Sequence, residues 1–240
     1  MSRRVLVTGG GTGIGLAIAR AFAEAGDAVT VTGRRPEPLE EAAKEYGLTA
    51  KTADVSDEAQ VAALFDEAFD VVIANAGTGK AAKVKETSLD LWSRTLAVNL
   101  TGTFLTFREA LRGMGSGGRL IAIASTQGLK GSANIGAYAA SKHGVIGFVR
   151  SLAHEVAKAG ITCNAICPGY TQTDMAEAAI TGMMSRFGID RDDAIAKVVV
   201  NNPMGRMIAP EEVASAALWL ASPGAASVNG HALALSGGEI

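Results

Sequence analysis

Val5-Leu6-Val7-Thr8-Gly9-Gly10-Gly11-Thr12-Gly13-Ile14-Gly15 decides the fold. Val5 to Thr8 reads as a short buried strand. From Leu16 to Ala25 the apolar residues Leu16, Ile18, Ala19, Phe22 and Ala23 fall on one helical face, and Gly26 ends the run. A strand, a glycine loop and a helix in that order form a dinucleotide-binding arrangement. Glycine lets backbone approach a pyrophosphate, and the helix start offers unpaired N–H groups and the positive end of a dipole. The spacing, Gly9-x3-Gly13-x-Gly15, matches neither G-x-G-x-x-G nor a P-loop, which would need Lys-Ser/Thr after a glycine. Gly9, Thr12, Gly13, Ile14 and Gly15 are the candidate cradle.

Working outward, further strand-like runs lie at Ala28–Thr32, Leu48–Ala53, Val71–Ala74, Arg119–Ala124, Ile161–Cys167 and His231–Leu235. Helical segments separate them: Pro36–Tyr46, a segment capped at Ser56-Asp57-Glu58 and running to Phe69, Leu89–Arg112, Gly136–Ala159 and Pro210–Leu220. This alternation predicts an α/β protein, one domain over 1–240 with a doubly wound parallel sheet of the Rossmann type. Such sheets bind ligands beyond the carboxyl ends of their strands, so the residues there are candidates. Arg34 and Arg35 follow the second strand, where an acid would select NAD and an arginine would accept the 2′-phosphate of NADP. With no acid present, NADP(H) is favoured over NAD(H). Asp54 and Val55 end the third strand, where an adenine could lie. Asn75, Ala76 and Gly77 end the fourth. Asp174 to Met207 is helical in pieces, rich in methionine, and leaves the sheet just after a ligand loop, which predicts a substrate lid at about 174–207. Asn99 and Gly102 sit within a predicted helix at a cost in stability, and a local kink is a physical reason to keep them.

Chemistry concentrates between Ser125 and Lys142. Ser125 follows the strand Arg119–Ala124, and the helix from Gly136 carries Tyr138 and Lys142 four apart, on one face. A free phenol has a pKa of about 10 and is a weak base at neutral pH. A nearby cation favours the phenolate and lowers that value, which makes Tyr138 a candidate general acid or base. Ser125 beside it could hold the oxygen of an alcohol or carbonyl. His143 follows Lys142 but points elsewhere and reads as structural.

The 240 residues carry a net charge of −2 and are 48% hydrophobic, so no field or basic run suggests nucleic acid. No apolar run is long enough to span a bilayer, and the N-terminus lacks the apolar core of a signal peptide. A cytoplasmic location without membrane association is expected. Cys163 and Cys167 have no clustered partners, so they read as buried thiols in a reducing compartment with no metal site.

Taken together, Thr8-Gly9-x3-Gly13-x-Gly15, Asn75-Ala76-Gly77, the set Asn99, Ser125, Tyr138 and Lys142, and Pro168-Gly169 with Thr173 resemble the motifs of the short-chain dehydrogenase/reductase family over nearly the whole chain. The resemblance implies a seven-stranded parallel sheet with helices on both faces. It implies that Ser125 positions the substrate oxygen, Tyr138 moves the proton, Lys142 binds the nicotinamide ribose and lowers the Tyr138 pKa, and Asn99 supports a water leading to solvent. The loop Pro168, Gly169, Thr171 and Thr173 would face the nicotinamide. Two positions depart from the family pattern: Thr12 stands where NADP users often have a basic residue, and Ala74 where a first asparagine is usual. The last third is similar to reductases of 3-oxoacyl thioesters and to 3-hydroxybutyrate dehydrogenases. The expected partner is therefore a small carbonyl or hydroxyl compound, such as an acyl-CoA or an acyl chain on acyl carrier protein (ACP), with Gln127, Tyr170 and Met175 in its pocket. A secondary-alcohol dehydrogenase using NAD and a non-catalytic nucleotide-binding regulator are the alternatives. A homotetramer or homodimer is implied as well.

Overall fold

A computed structural model describes residues 2–240. The strands are β1 (Arg4–Thr8), β2 (Ala28–Gly33), β3 (Thr49–Thr52), β4 (Val71–Ala74), β5 (Arg119–Ile123), β6 (Thr162–Pro168) and β7 (Ala232–Leu235). They form one seven-stranded sheet in the order β3-β2-β1-β4-β5-β6-β7, with every pairing parallel. The helices are α1 (Gly13–Glu24), α2 (Pro36–Tyr46), α3 (Glu58–Ala62), α4 (Leu89–Leu96), α5 (Gly102–Leu111), α6 (Gly136–Val156), α7 (Asp174–Phe187), α8 (Arg191–Val198) and α9 (Pro210–Leu220).

The central strands are apolar on both faces, as a sheet covered on both sides requires. Alternation along each strand then divides the core. Val5, Val7, Val71 and Ile73 meet Ile18, Phe22, Leu39, Val213 and Leu220 of α1, α2 and α9. Leu6, Val72 and Leu120 meet Phe107, Val145, Val149 and Leu152 of α5 and α6. Phe22 and Phe107 are fully buried, and each such side chain stabilises the fold by about 1.5–3 kcal/mol.

Strand order reverses at β1, which pairs with β2 on one side and β4 on the other. Chains leaving β1 and β4 therefore depart to opposite faces and open a crevice between them.

Several boundaries differ from the sequence reading, mostly by a residue at a strand end; α1 already starts at Gly13. The helix expected to reach Phe69 stops at Ala62, followed by a 3-10 turn at Ala63–Phe65. Phe69 is buried and packs edge-to-face on Phe65 at 5.7 Å, and Asp70 N–H already donates to the Arg4 carbonyl at 2.8 Å, so the chain must be extended there. Leu48 lies past the Gly47 cap of α2, where its N–H still donates to the Ala43 carbonyl at 3.1 Å, and β3 starts at Thr49. The helix expected over Leu89–Arg112 is interrupted at Ala97–Thr101 by a π-turn that contains Asn99, and its last α-helical residue is Leu111. The α-helix expected to reach Ala159 ends at Val156 in a 3-10 turn.

Candidate active site

The glycine loop lies in the β1/β4 crevice. Gly9 and Gly13 have φ of +64° and +54°, a region that glycine enters without a Cβ penalty. A Cβ on Gly15 would collide with the Gly9 carbonyl, and one on Gly13 would stand 3.1 Å from Thr173 Cγ2. Larger residues would fill this cradle. Thr12 caps α1 without a side-chain hydrogen bond, and the first turn has no acid, so the N–H groups there remain available to an anion.

Thr8 and Asn75 sew the two sides of the crevice together. The Thr8 hydroxyl accepts from Asn75 N–H at 3.0 Å and Ala76 N–H at 3.1 Å. Asn75 Nδ2 donates to the Thr8 carbonyl at 2.9 Å and the Gly9 carbonyl at 3.1 Å. Asn75 thus shapes the loop by holding its carbonyls. Arg34 and Arg35 are exposed at the end of β2, where Arg35 caps α2 with its backbone. The Asp54 carboxylate accepts from Ser56 N–H at 2.9 Å and the Ser56 hydroxyl at 2.7 Å. The Val55 side chain is packed with Val61 and Leu105 beneath α5.

Ser125, Tyr138, Lys142 and Asn99 converge at the ends of β4 and β5. Ser125 Oγ accepts from Gln127 N–H at 3.1 Å, capping a 3-10 turn at Thr126–Gly128, which leaves its own proton to point outward. The hydroxyl faces the Tyr138 phenol. Lys142 is buried, lies 5.7 Å from the Tyr138 ring centroid, and donates to the Ile123 carbonyl at 2.8 Å. A Cβ on Gly77 would stand 3.5 Å from Asn99 Oδ1 and 3.6 Å from Lys142 Nζ, and one on Gly79 would meet the Tyr138 ring at 3.1 Å. The loop after β4 therefore lies against the whole cluster.

Asn99 acts through three hydrogen bonds. Its Oδ1 accepts from Thr78 N–H at 2.8 Å, and its Nδ2 donates to the Thr78 carbonyl and to Ser141 Oγ, both at 2.9 Å. Its main-chain carbonyl accepts from the Thr103 hydroxyl at 2.8 Å. Ser141 in turn donates to the Tyr138 carbonyl at 2.7 Å. Ser141 is a site residue that sequence reasoning missed, because a serine inside a helix carries no motif of its own.

The electrostatics depart from expectation at Tyr138. The sequence reading has Lys142 lowering the phenol's pKa. Instead dense protein around the phenol raises it, the Ser125 hydroxyl pulls it down, and Tyr170 and Cys167 add to the rise. The Lys142 ammonium is directed at the Ile123 carbonyl rather than at the phenolic oxygen. Burial also pushes Lys142 itself down to about 8.

The remaining candidates line the rim. Thr171 is buried and bridges to Ile208, so the two ends of the segment over 174–207 meet. Thr173 caps α7, accepting from Ala176 N–H at 3.4 Å and donating to the Thr171 carbonyl at 3.2 Å. Pro168 ends β6, and Gly169 N–H donates to the Leu235 carbonyl at 2.9 Å. Tyr170 and Met175 are exposed. The Gln127 Oε1 atom is buried without a hydrogen-bond partner. His143 is exposed and bonded to the Ala139 carbonyl at 2.9 Å. Cys163 and Cys167 are buried, and burial raises their thiols to about 12 and about 11.

A family model described as enoyl-(acyl carrier protein) reductase matches residues 9–239. The chain is 36% identical to actinorhodin polyketide ketoreductase in its crystal structure with NADPH, with a TM-score of 0.92 and coverage of 99% of this chain and 97% of that one. An oxidoreductase of the short-chain dehydrogenase/reductase family from Burkholderia thailandensis superposes at a TM-score of 0.87, with 31% identity over 100% of this chain and 93% of that one. The chain belongs to the short-chain dehydrogenase/reductase family. It is an NAD(P)-dependent oxidoreductase. Curated relatives of this dehydrogenase/reductase include a putative ketoacyl reductase of Streptomyces coelicolor, 37% identical over 99% of this chain and 97% of the relative. A D-beta-hydroxybutyrate dehydrogenase of Rhizobium meliloti is 36% identical over 99% and 98%. The 3-oxoacyl-(acyl-carrier-protein) reductase FabG of Vibrio harveyi is 38% identical over 97% and 95%.

Proposed function

We propose that the protein reduces the 3-oxo group of an acyl thioester, carried on coenzyme A or on ACP, with NADPH. The observation that carries this reading is the pairing of two hydroxyls, Ser125 and Tyr138, at the mouth of the dinucleotide crevice. Two hydroxyls aimed at one point suit a carbonyl oxygen that gains negative charge as it is reduced. The cofactor, when bound, supplies the hydride. The glycine loop and the start of α1 would hold its pyrophosphate, Asp54 with the Val55 backbone its adenine side, and Arg34 with Arg35 a 2′-phosphate. Lys142 would hold the nicotinamide ribose, and Thr171 and Thr173 would border the ring. Tyr138 keeps its proton at neutral pH and gives it to the substrate oxygen. Ser125 fixes that oxygen, and Asn99 fixes the loop that covers Tyr138 and Lys142. The segment over 174–207 closes on the acyl chain, with Tyr170, Met175 and Gln127 at its wall.

The family model's description names a different reduction, that of a carbon–carbon double bond, and the Rhizobium relative's name indicates a hydroxy-acid dehydrogenase. One assay separates the three: NADPH or NADH oxidation with acetoacetyl-CoA and with crotonyl-CoA, and NAD reduction with 3-hydroxybutyrate. Turnover of acetoacetyl-CoA with NADPH is expected. Turnover confined to crotonyl-CoA, or to the hydroxy acid with NAD, would replace the reading. Arg34→Ala is expected to raise KM for NADPH about tenfold or more while leaving that for NADH near wild type, because a lost charge-assisted phosphate contact is a large effect. Equal changes would remove the NADP assignment. We further propose a cytoplasmic homotetramer or homodimer. Trp92 and Phe104 on α4 and α5 and Trp219 on α9 are all at least 40% exposed, and light scattering after size exclusion tests that assembly.

A further inference from the structure

The last five residues turn back into the molecule rather than trailing from β7. Gly237 and Gly238 adopt φ of +61° and +93°, which only glycine accepts without strain. The turn closes through Glu239 N–H to the Ser236 carbonyl at 3.3 Å and Ile240 N–H to Ser236 Oγ at 3.4 Å. This geometry drives the Glu239 side chain inward, where it is only 9% exposed.

Inside, its carboxylate meets Lys130 on one side and the Gly169-Tyr170 loop on the other. Lys130 Nζ, five residues beyond Ser125, donates to Oε1 at 2.6 Å. A Cβ on Gly169 would stand 3.3 Å from Oε2. Burial raises the Tyr170 phenol, and the Glu239 charge adds to that rise. The same tail abuts the distal end of the lid segment: the Asn202 amide occupies the space beside Gly237, and Pro203 the space beside Gly238. Asn202 in turn holds its own turn, donating to the Arg206 carbonyl at 2.7 Å and accepting from Met204 N–H at 2.9 Å. A largely buried carboxylate that loses its cation keeps the desolvation cost without the attraction, so breaking the pair would disfavour this seating of the turn after β7.

We infer that Glu239 is a positioning residue: its ion pair with Lys130 latches the chain terminus against the base of the lid and holds the Ser125 loop, the Gly169-Tyr170 loop and the lid in one register for substrate. The inference rests on the reading of 174–207 as a lid. The latch acts on substrate capture at the distal end of the lid; the glycine cradle follows β1, which β4, β5 and β6 separate from β7, and meets the lid's start through Thr173.

The test compares wild type with Glu239→Gln, Lys130→Met, the double variant and the charge-swapped pair Lys130→Glu with Glu239→Lys. Steady-state kinetics with acetoacetyl-CoA, NADPH affinity by fluorescence, thermal melting and tryptic cleavage at Arg186, Arg191 and Lys197 are measured on each. Each single variant is expected to raise KM for acetoacetyl-CoA about tenfold with kcat and NADPH affinity within about twofold, and the double to be no worse than either single. Cleavage within 174–207 is expected to accelerate in step, and the swapped pair to recover part of both losses. A lowered melting temperature with unchanged KM and unchanged cleavage would overturn the inference, as would losses that add in the double variant. If wild type fails to reduce acetoacetyl-CoA, the proposed substrate is wrong, while the cleavage rates still decide the latch.

Discussion

At Lys142 two demands conflict. The proposed mechanism needs the ammonium beside Tyr138, yet it is 4% exposed and its only hydrogen-bond partner among the described side-chain contacts is the Ile123 carbonyl. Burial lowers its pKa to about 8 from the usual 10.5. Between those two values the unfolded chain binds more protons than the folded one, so this residue's contribution makes stability rise with pH from about 8 to 10.5. Below pH 8 the full penalty is present, on the order of 3 kcal/mol. Lys142→Met removes it. That variant is expected to resist urea better than wild type at pH 7, with the gap closing as pH approaches 10.5. A gap that is constant across this range would mean that Lys142 is not strained by burial. The residue types at this site were readable because each has a chemical purpose at a strand end or helix face. The direction of the Tyr138 shift was not, because a four-residue spacing sets proximity and says nothing of how deeply a phenol is buried or where an ammonium turns.

Among the elements, the π-turn at Ala97–Thr101 does the most to join fold to site. It lets Asn99 face Thr78 and Ser141 from inside a helical rod, and α6 packs so closely there that a Cβ on Gly144 would stand 2.8 Å from Leu100 Cδ2. Asn99→Ala would leave Thr78 N–H and its carbonyl unpaired beside Tyr138. A loss of ~1–3 kcal/mol is expected, together with a fall in kcat larger than any change in cofactor affinity, measured by urea unfolding and steady-state kinetics. Intact kcat would show that the loop over Tyr138 is held by other contacts. An Asn and a Gly at poor helical positions announced this break in the sequence. Helix ends were harder to read: the chain leaves α3 early because Phe69 and Asp70 are claimed by the core and by β1, partners remote in sequence.

For the whole molecule, the sheet and the segment over 174–207, the proposed lid, are packed around different cores. The sheet carries two continuous cores, whereas α7 and α8 enclose a small one of their own, with Ile180, Val198 and Met207 at its centre. Met183, Met184 and Met207 thus serve ordinary packing, while Met175 and Met204 stay exposed. Saturating NADPH is expected to slow hydrogen exchange in 174–198 and in the glycine loop while leaving β4, β5 and β6 unchanged; uniform slowing would argue against an independent lid. The parallel sheet could be read because each βα unit repeats the same apolar pattern, whereas the order of its strands is set by the tertiary pairing. The contact of Lys130 with Glu239, made between residues 109 apart in sequence, has no such pattern and depends on the sheet placing the ends of β5 and β7 on one side, with β6 between them.

The central claim is that the Tyr138 hydroxyl moves the proton beside a bound nicotinamide. Tyr138→Phe deletes that oxygen and little else. With NADPH and acetoacetyl-CoA, single-turnover hydride transfer should fall by about a hundredfold or more, with NADPH affinity within about twofold of wild type. Hydride transfer near the wild-type rate in a variant that still binds NADPH would contradict the account.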